Sequence, residues 1–139
     1  MAGLLLTGLP ISACSGHDAH KAHVEHPAEV SKIEGSELSR VTLTEKAMQR
    51  IDLQTTAVRE QQVNGSTRRA VPYSALIYDP SGRTWVYTSP QPRTFVRQQV
   101  DVDRIEGDWV LLNDGPAVGS EVASVGVAQL YGSETGVGH

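Results

Sequence analysis

Residues 84–88 (Thr-Trp-Val-Tyr-Thr) and 94–102 (Thr-Phe-Val-Arg-Gln-Gln-Val-Asp-Val) decide the fold. The first stretch is rich in aromatic and β-branched residues, which favour strands. The second stretch alternates between apolar and polar residues, which is the period of a half-buried strand. Pro90 and Pro92 interrupt the pattern between them. The two stretches therefore predict two strands of a β-rich domain.

Turn sequences surround these two strands. Asp79-Pro80-Ser81-Gly82 has Pro at the second position and Gly at the fourth, as tight turns favour. Glu106-Gly107 and Asn113-Asp114-Gly115-Pro116 are turns of similar composition further along the chain. Between and beyond these turns, further strands or extended runs are predicted at 71–77, 108–112 and 121–125.

A short helix is predicted about one third of the way along the chain. Thr42-Leu43-Thr44-Glu45 fits a capping box, although Thr44 could equally be the cap. An apolar face would be formed by Ala47, Met48 and Ile51. A short alternating run at 41–43 precedes this helix, and a longer one at 53–63 follows it.

Together, these patterns predict a mainly β protein over residues 40–132. Six or seven short strands and one short helix indicate a small antiparallel β-sandwich or barrel. Residues 133–139 would be a C-terminal tail. The chain of 139 residues has a net charge of −4, and five acids against two Lys lie in residues 15–39. The remainder is nearly neutral, which argues against nucleic-acid binding.

The first residues resemble a lipoprotein signal. Residues 1–13 are uncharged and mostly apolar or small, and Ile11-Ser12-Ala13-Cys14 is similar to the lipobox of bacterial lipoproteins. The resemblance implies cleavage before Cys14 and a lipid on its thiol. It also implies a location outside the cytoplasm, anchored to the cell membrane (on its periplasmic side in a two-membrane host). The alternative is an ordinary thiol in a disordered tail.

Residues 14–39 are predicted to be a lipid-anchored, His-rich flexible linker, because their composition cannot bury a core. Four histidines recur every third residue, at His17, His20, His23 and His26. A polyproline-type helix would place them along one edge. Imidazoles suit Zn²⁺, Cu²⁺ and Ni²⁺, so these residues are a candidate metal site. The alternative is a soluble His-rich spacer.

Three stretches resemble the two ends of bacterial periplasmic adaptor proteins, the membrane fusion proteins of resistance-nodulation-division efflux pumps. They are Val41-x-Leu43-Thr44-Glu45 through Thr55, then Val71-Pro72-x-x-Ala75-Leu76 through Val102, and finally Asp114-Gly115-Pro116 through Leu130. The resemblance implies an adaptor-type membrane-proximal domain. It also implies lipid anchoring and a partner that is an efflux transporter or another adaptor subunit.

The departure from that family is large. A full adaptor carries a β-barrel domain, a lipoyl-like domain and a helical hairpin between its two ends, whereas residues 64–70 alone fill this gap here. No heptad pattern occurs, so a coiled-coil hairpin is not expected. If the resemblance holds, a short turn joins two segments that are neighbours in space.

Catalysis finds little support in the sequence. Outside the histidine-rich segment His139 is the only histidine, so Ser–His or Cys–His chemistry lacks a natural base. Asp108 and Asp114 form a conceivable carboxylate pair with no diagnostic spacing. We therefore expect no enzyme and no required cofactor.

Other residues allow two interpretations, and none identifies a partner-binding site. Asp101 and Asp103 would share a strand face, as a cation site or, more commonly, a solvated surface. The aromatic residues would form either the core or an exposed patch, with the core favoured for most of them. The arginines would contact lipid headgroups or a partner, or form an ordinary charged surface. The aromatic residues are Trp85, Tyr87, Phe95 and Trp109, and the arginines are Arg68, Arg69, Arg93 and Arg97.

Overall fold

A computed structural model describes residues 26–136, together with Gly3 and Gly8. The predicted lipid site Cys14 and the candidate metal ligands His17, His20 and His23 lie outside the described residues, as does the signal segment apart from those two glycines. The C-terminal residues 137–139 also lie outside them. Of the candidate metal ligands only His26 is described, and it is exposed.

Ten strands and two α-helices make up the described part of the chain. In chain order they are β1 (Ala28–Lys32), β2 (Ser39–Leu43), α1 (Glu45–Arg50), β3 (Gln54–Ala57), β4 (Arg59–Val63), β5 (Ser66–Pro72), β6 (Ile77–Tyr78), β7 (Thr84–Gln91), β8 (Thr94–Glu106), β9 (Trp109–Asp114), β10 (Glu121–Val125) and α2 (Val127–Thr135). A 3-10 turn at Tyr73–Ala75 interrupts the extended run predicted at 71–77.

The strands form one antiparallel sheet that curls into a half-barrel, which confirms the mainly β, antiparallel prediction. The strand order is β3-β10-β7-β8-β9-β5-β4, while β2 joins β1 to β8 and β6 pairs with β7. The long strand β8 pairs with β2 and β7 through its first half and with β9 through its second. Register shifts between Asp101 and Arg104 bend it, as β-bulges do.

The central strands bury both of their faces. On β7, Val86 and Tyr87 are both fully buried, yet they belong to different apolar clusters. Successive side chains of a strand point to opposite faces, so one cluster lies under the helices and the other on the opposite face of the sheet. The helix-side cluster includes Val41, Leu43, Phe95 and Leu130, and the opposite cluster includes Val71, Val100, Val110 and Val122.

Local predictions agree well with the structure. Thr44, not Thr42, caps α1, since its Oγ1 accepts a hydrogen bond of 3.1 Å from the Ala47 amide. The turn at 79–82 forms, with the Gly82 amide donating to the Asp79 carbonyl. Trp85 joins Tyr87 and Phe95 among the buried residues, so core packing is confirmed for these three aromatic residues.

Two boundaries and the number of strands differ from the sequence prediction. Residues 28–32 were expected in the flexible linker but form β1, whose side chains are mostly exposed. Main-chain pairing with β2, such as Val30 opposite Val41, creates this strand, and composition cannot reveal such pairing. A second helix, α2, extends into the expected tail because Val127 and Leu130 pack on the helix-side cluster. Within the described part of the chain there are ten strands instead of the expected six or seven, because the run at 53–63 divides at Val58 and short partner strands are added.

Candidate functional site

A groove lies between α1 and the turn that joins β7 to β8. A hollow of about 480 Å³ is lined by Glu45, Met48, Gln49, Asp52, Leu53, Pro92 and Arg93. A second hollow of about 310 Å³ is lined by Thr44, Glu45, Lys46 and Arg93. Because the two hollows share Glu45 and Arg93, they form one depression, which we call the α1 groove.

Arg93 is held in place at the rim of this groove. It occupies the turn with φ of 60°, a backbone region that residues other than Gly rarely adopt. Its carbonyl accepts a hydrogen bond of 2.8 Å from the Leu43 amide, and its guanidinium donates one of 3.3 Å to the Leu43 carbonyl. These two contacts fix the turn against β2, so the exposed Arg93 guanidinium has a defined position.

The groove combines charge of both signs with apolar surface. Glu45 and Asp52 are acidic, Lys46 and Arg93 are basic, and Met48 is half-buried. Methionine adapts its flexible, polarizable side chain to different partners. Such a lining suits a segment of another protein better than a small substrate. The sequence identifies Arg93 as a candidate residue but not the other residues of the groove. These residues come together only because the β7–β8 turn packs against β2.

The chain enters the domain beside the α1 groove. The Thr44 amide, at the groove wall, donates a hydrogen bond of 3.1 Å to the Pro27 carbonyl. His26 therefore lies next to the helix end of the domain.

A buried polar cluster fixes α2 to the sheet. The Glu134 carboxylate accepts hydrogen bonds from the Tyr87 hydroxyl at 2.7 Å and from the Arg97 guanidinium at 2.8 and 3.2 Å. The Ser39 amide adds a longer bond of 3.3 Å. Burial, the hydrogen bond to Glu134 and its negative charge raise the pKa of Tyr87. Burial disfavours the charged form of Arg97 and by itself would lower its pKa. The hydrogen bond to Glu134 and the charge of that carboxylate outweigh burial, so the pKa of Arg97 is raised.

A second buried carboxylate closes the 79–82 turn. Asp79 accepts hydrogen bonds from the Ser81 and Arg83 amides at 2.9 Å, from the Arg83 side chain at 2.8 Å and from the Trp85 indole at 3.0 Å. Burial by itself would raise the pKa of Asp79. The four hydrogen-bond donors outweigh burial, so the pKa of Asp79 is lowered. Both oxygens of the Glu134 carboxylate and both oxygens of the Asp79 carboxylate accept hydrogen bonds from the protein. We therefore assign these two residues a structural role.

The arginines flagged in the sequence have separate roles. Arg97 is not a surface residue, since its side chain is 12% exposed and paired with Glu134. Arg69 donates a hydrogen bond of 2.6 Å to the Gly115 carbonyl, and Arg68 lies 3.5 Å from the Asp103 carboxylate. Only Arg93 lines the α1 groove. The sequence could not separate these roles, because every partner is distant along the chain.

The predicted acidic pairs do not form sites in the structure. Asp108 directly precedes β9 and Asp114 is its last residue, so the length of the strand separates them and they cannot act on one substrate bond. Asp103 lies within the bulged part of β8, where it pairs with Arg68 and Arg104, while Asp101 stays exposed. Within residues 26–136, no three His, Cys, Asp or Glu side chains are grouped as metal ligands would be.

Trp109, the fourth aromatic residue named in the sequence analysis, is half-buried. The Arg59 guanidinium lies over its ring, 3.2 Å from the ring centre. Such stacking is a cation–π contact and covers part of the indole. Trp109 is therefore neither a core residue nor a bare recognition patch.

Among the described residues, neither helix has the length and apolar character needed to cross a bilayer. The chain matches no protein-family model, no curated protein and no solved structure. Its function therefore rests on its residues and their geometry.

Proposed function

We propose that this chain is a non-enzymatic envelope lipoprotein that acts as an accessory or truncated periplasmic adaptor and binds an efflux transporter complex at the membrane. The observation that most supports this is the interleaving of two chain segments in one sheet. β2 pairs with β8, and β3 pairs with β10. The segments that resemble the two ends of adaptors are thus direct neighbours, as that resemblance requires.

The junction between the two segments also supports the proposal. β4 and β5 form a hairpin closed by Asn64 and Gly65, whose φ values of 49° and 81° are both positive. Positive φ at both central residues is the signature of a type I′ turn, which matches the twist of hairpin strands. The domain is therefore closed at the point where a full adaptor would carry its remaining domains. A protein of this form would act beside a pump and would not span to an outer duct.

Anchoring would place the α1 groove near the membrane. If Cys14 carries a lipid, residues 15–26 separate it from the domain, and this segment reaches at most about 45 Å when fully extended. The chain enters at Pro27, whose carbonyl is bonded to the groove residue Thr44. The groove would therefore face the membrane-proximal part of a transporter, and its mixed charges and Met48 would contact a protein segment there.

Crosslinking of the lipidated protein in its own membranes, followed by mass identification of captured proteins, tests this function. We expect a transporter or a second adaptor to be recovered. Arg93→Glu should reduce this recovery severalfold by reversing the charge at the groove rim. Arg40→Glu is the matched control, because it makes the same change at an exposed position of β2 outside the groove. Equal recovery with both variants would reject the groove, and no reproducible partner would reject the adaptor role.

A second proposed function is metal capture by the histidine-rich segment, supported by the three-residue spacing of His17, His20, His23 and His26. Replacing all four with Ser should lower the tolerance of the host to Zn²⁺, Cu²⁺ or Ni²⁺ and leave partner capture intact. Unchanged tolerance to all three metals would reject this function.

A further inference from the structure

The outer strand β4 is an open edge of the sheet. Within residues 26–136, β4 pairs only with β5, so one side has no neighbour. β1 is likewise a regular five-residue edge, paired in the described part of the chain only with β2. The two remaining edges are shorter or irregular: β6 has two residues, and β3 pairs with β10 across a register shift. β4, by contrast, is a regular five-residue strand with neither a Pro nor a bulge. Such an edge offers main-chain groups for pairing with another strand.

The hairpin turn determines which main-chain groups face outward. In a two-residue I′ hairpin, the residues that flank the turn exchange two hydrogen bonds, and bonded and non-bonded pairs then alternate. Val63–Ser66, Gln61–Arg68 and Arg59–Ala70 are therefore the bonded pairs of this ladder. Because Glu60 and Gln62 fall between them, their N–H and C=O groups are directed away from β5.

We propose that this edge is a self-pairing surface, where β4 strands of two copies join antiparallel about a two-fold axis through their Gln61 residues. Glu60 then lies opposite Gln62 of the second copy, and Gln62 lies opposite Glu60. Both are the residues whose main-chain groups face outward, so each pair exchanges two hydrogen bonds. The two half-barrels become one continuous sheet. This inference is independent of any efflux partner.

The side chains of β4 suit this register better than the registers that are shifted by two residues. The Glu60 carboxylate meets a Gln62 amide, which can donate to it, and Arg59 lies opposite the apolar Val63. Shifting the strands by two residues either places Glu60 opposite Glu60, which is destabilising, or runs into the Asn64–Gly65 turn. The charge of Arg59 does not prevent strand pairing at this edge, because its guanidinium is stacked on Trp109. This self-complementarity identifies the occupant as a second copy of the chain.

Charge changes at Gln62 test the pairing. Gln62 is exposed and lies opposite Thr67 in its own hairpin, so a charge there leaves the fold intact. Gln62→Lys would face Glu60 of the second copy twice per dimer and should tighten dimerisation about fivefold, whereas Gln62→Glu should weaken it by about the same factor. Sedimentation velocity of the full chain over a wide concentration range measures both. Cys14→Ser in all samples removes the lipid site.

The matched controls are Gln98→Lys and Gln98→Glu, which make the same changes at an exposed position of the interior strand β8. They should leave dimerisation unchanged. A protein that is monomeric at every concentration, or one whose dimer responds equally at Gln98 and Gln62, would overturn the proposal.

A disulfide tests the register itself. Gln61 lies on the two-fold axis in a non-bonded pair, where Cα atoms approach to about 4.5 Å and a disulfide can form. With Cys14→Ser removing the only natural thiol, Gln61→Cys should oxidise to a covalent dimer. Gln62→Cys should stay largely monomeric, because the two thiols are displaced along the strands. Equal crosslinking of both variants, or faster crosslinking at Gln62, would overturn the register.

Discussion

The Arg97 guanidinium lies 2.8 Å from the Glu134 carboxylate, beneath the last turn of α2. The Glu134 side chain is 3% exposed, so this ion pair is shielded from water. Tyr87 and the Ser39 amide donate to the same carboxylate. Four elements of the fold, α2, β8, β7 and β2, thus meet at one side chain.

Glu134→Gln should destabilise the protein by about 3 kcal/mol, because it leaves the buried Arg97 charge without its partner. The free energy of unfolding in urea measures this loss. Glu106→Gln is the control, since it removes an exposed carboxylate 3.6 Å from Arg104. An exposed pair of this kind contributes less than about 1 kcal/mol. Equal losses in the two variants would show that the Arg97 charge is not buried in solution.

Tyr87 should make the protein sensitive to alkali. Its pKa is raised in the folded state above the ordinary value of 10.0, so the fold disfavours the deprotonated form. The stabilising contribution is complete below pH 10 and falls as the pH rises above it, because only the unfolded chain then loses the proton. Tyr87→Phe should flatten this decline, measured as the free energy of unfolding against pH. An undiminished alkaline decline in Tyr87→Phe would contradict the prediction.

Asp79 should give the opposite pH dependence. Its pKa is lowered from 3.8 in the folded state, so its contribution is present above that pH and is lost as the pH falls below it. Asp79→Asn should reduce stability at neutral pH, because an amide cannot accept from all four donors, and should weaken the acid dependence. Acid titrations followed by the near-ultraviolet circular dichroism of the aromatic residues would check both effects. A variant with unchanged acid dependence would exclude Asp79 as its source.

Gly126 should tolerate substitution worse than Gly82, although the φ values of the two glycines are 83° and 82°. A Cβ at Gly126 would lie 3.2 Å from Ile51 Cδ1 and 3.3 Å from the Ile51 carbonyl, whereas at Gly82 no atom lies within 4 Å. Gly82→Ala therefore isolates the conformational cost of about 1–2 kcal/mol. Gly126→Ala should cost more, and thermal unfolding ranks the two. Equal losses would mean that Ile51 moves aside without cost.

The sequence predicts those features of the fold that depend on neighbouring residues. The Thr44 cap, the 79–82 turn and the strands around Tyr87 each have a local signal in composition or spacing. Pairing between distant residues has no such signal. Glu134 reaches Arg97 across 37 positions, and β1 exists because β2 accepts its main chain. The α1 groove was missed for the same reason, because Arg93 meets α1 only after the β7–β8 turn has packed on β2.

The position of β1 has a mechanical consequence. β1 is the first described strand. Among the strands of residues 26–136 it is bonded only to β2, with Ala28 opposite Leu43 at the end where the chain enters. A force applied at the N-terminus would load these bonds one pair at a time and peel the strand away from Ala28 towards Lys32. Releasing residues 28–38 would add at most about 40 Å of extended chain in front of β2 and leave both apolar clusters largely intact. Under tension, β1 would therefore detach at a lower force than is needed to unfold the rest of the domain.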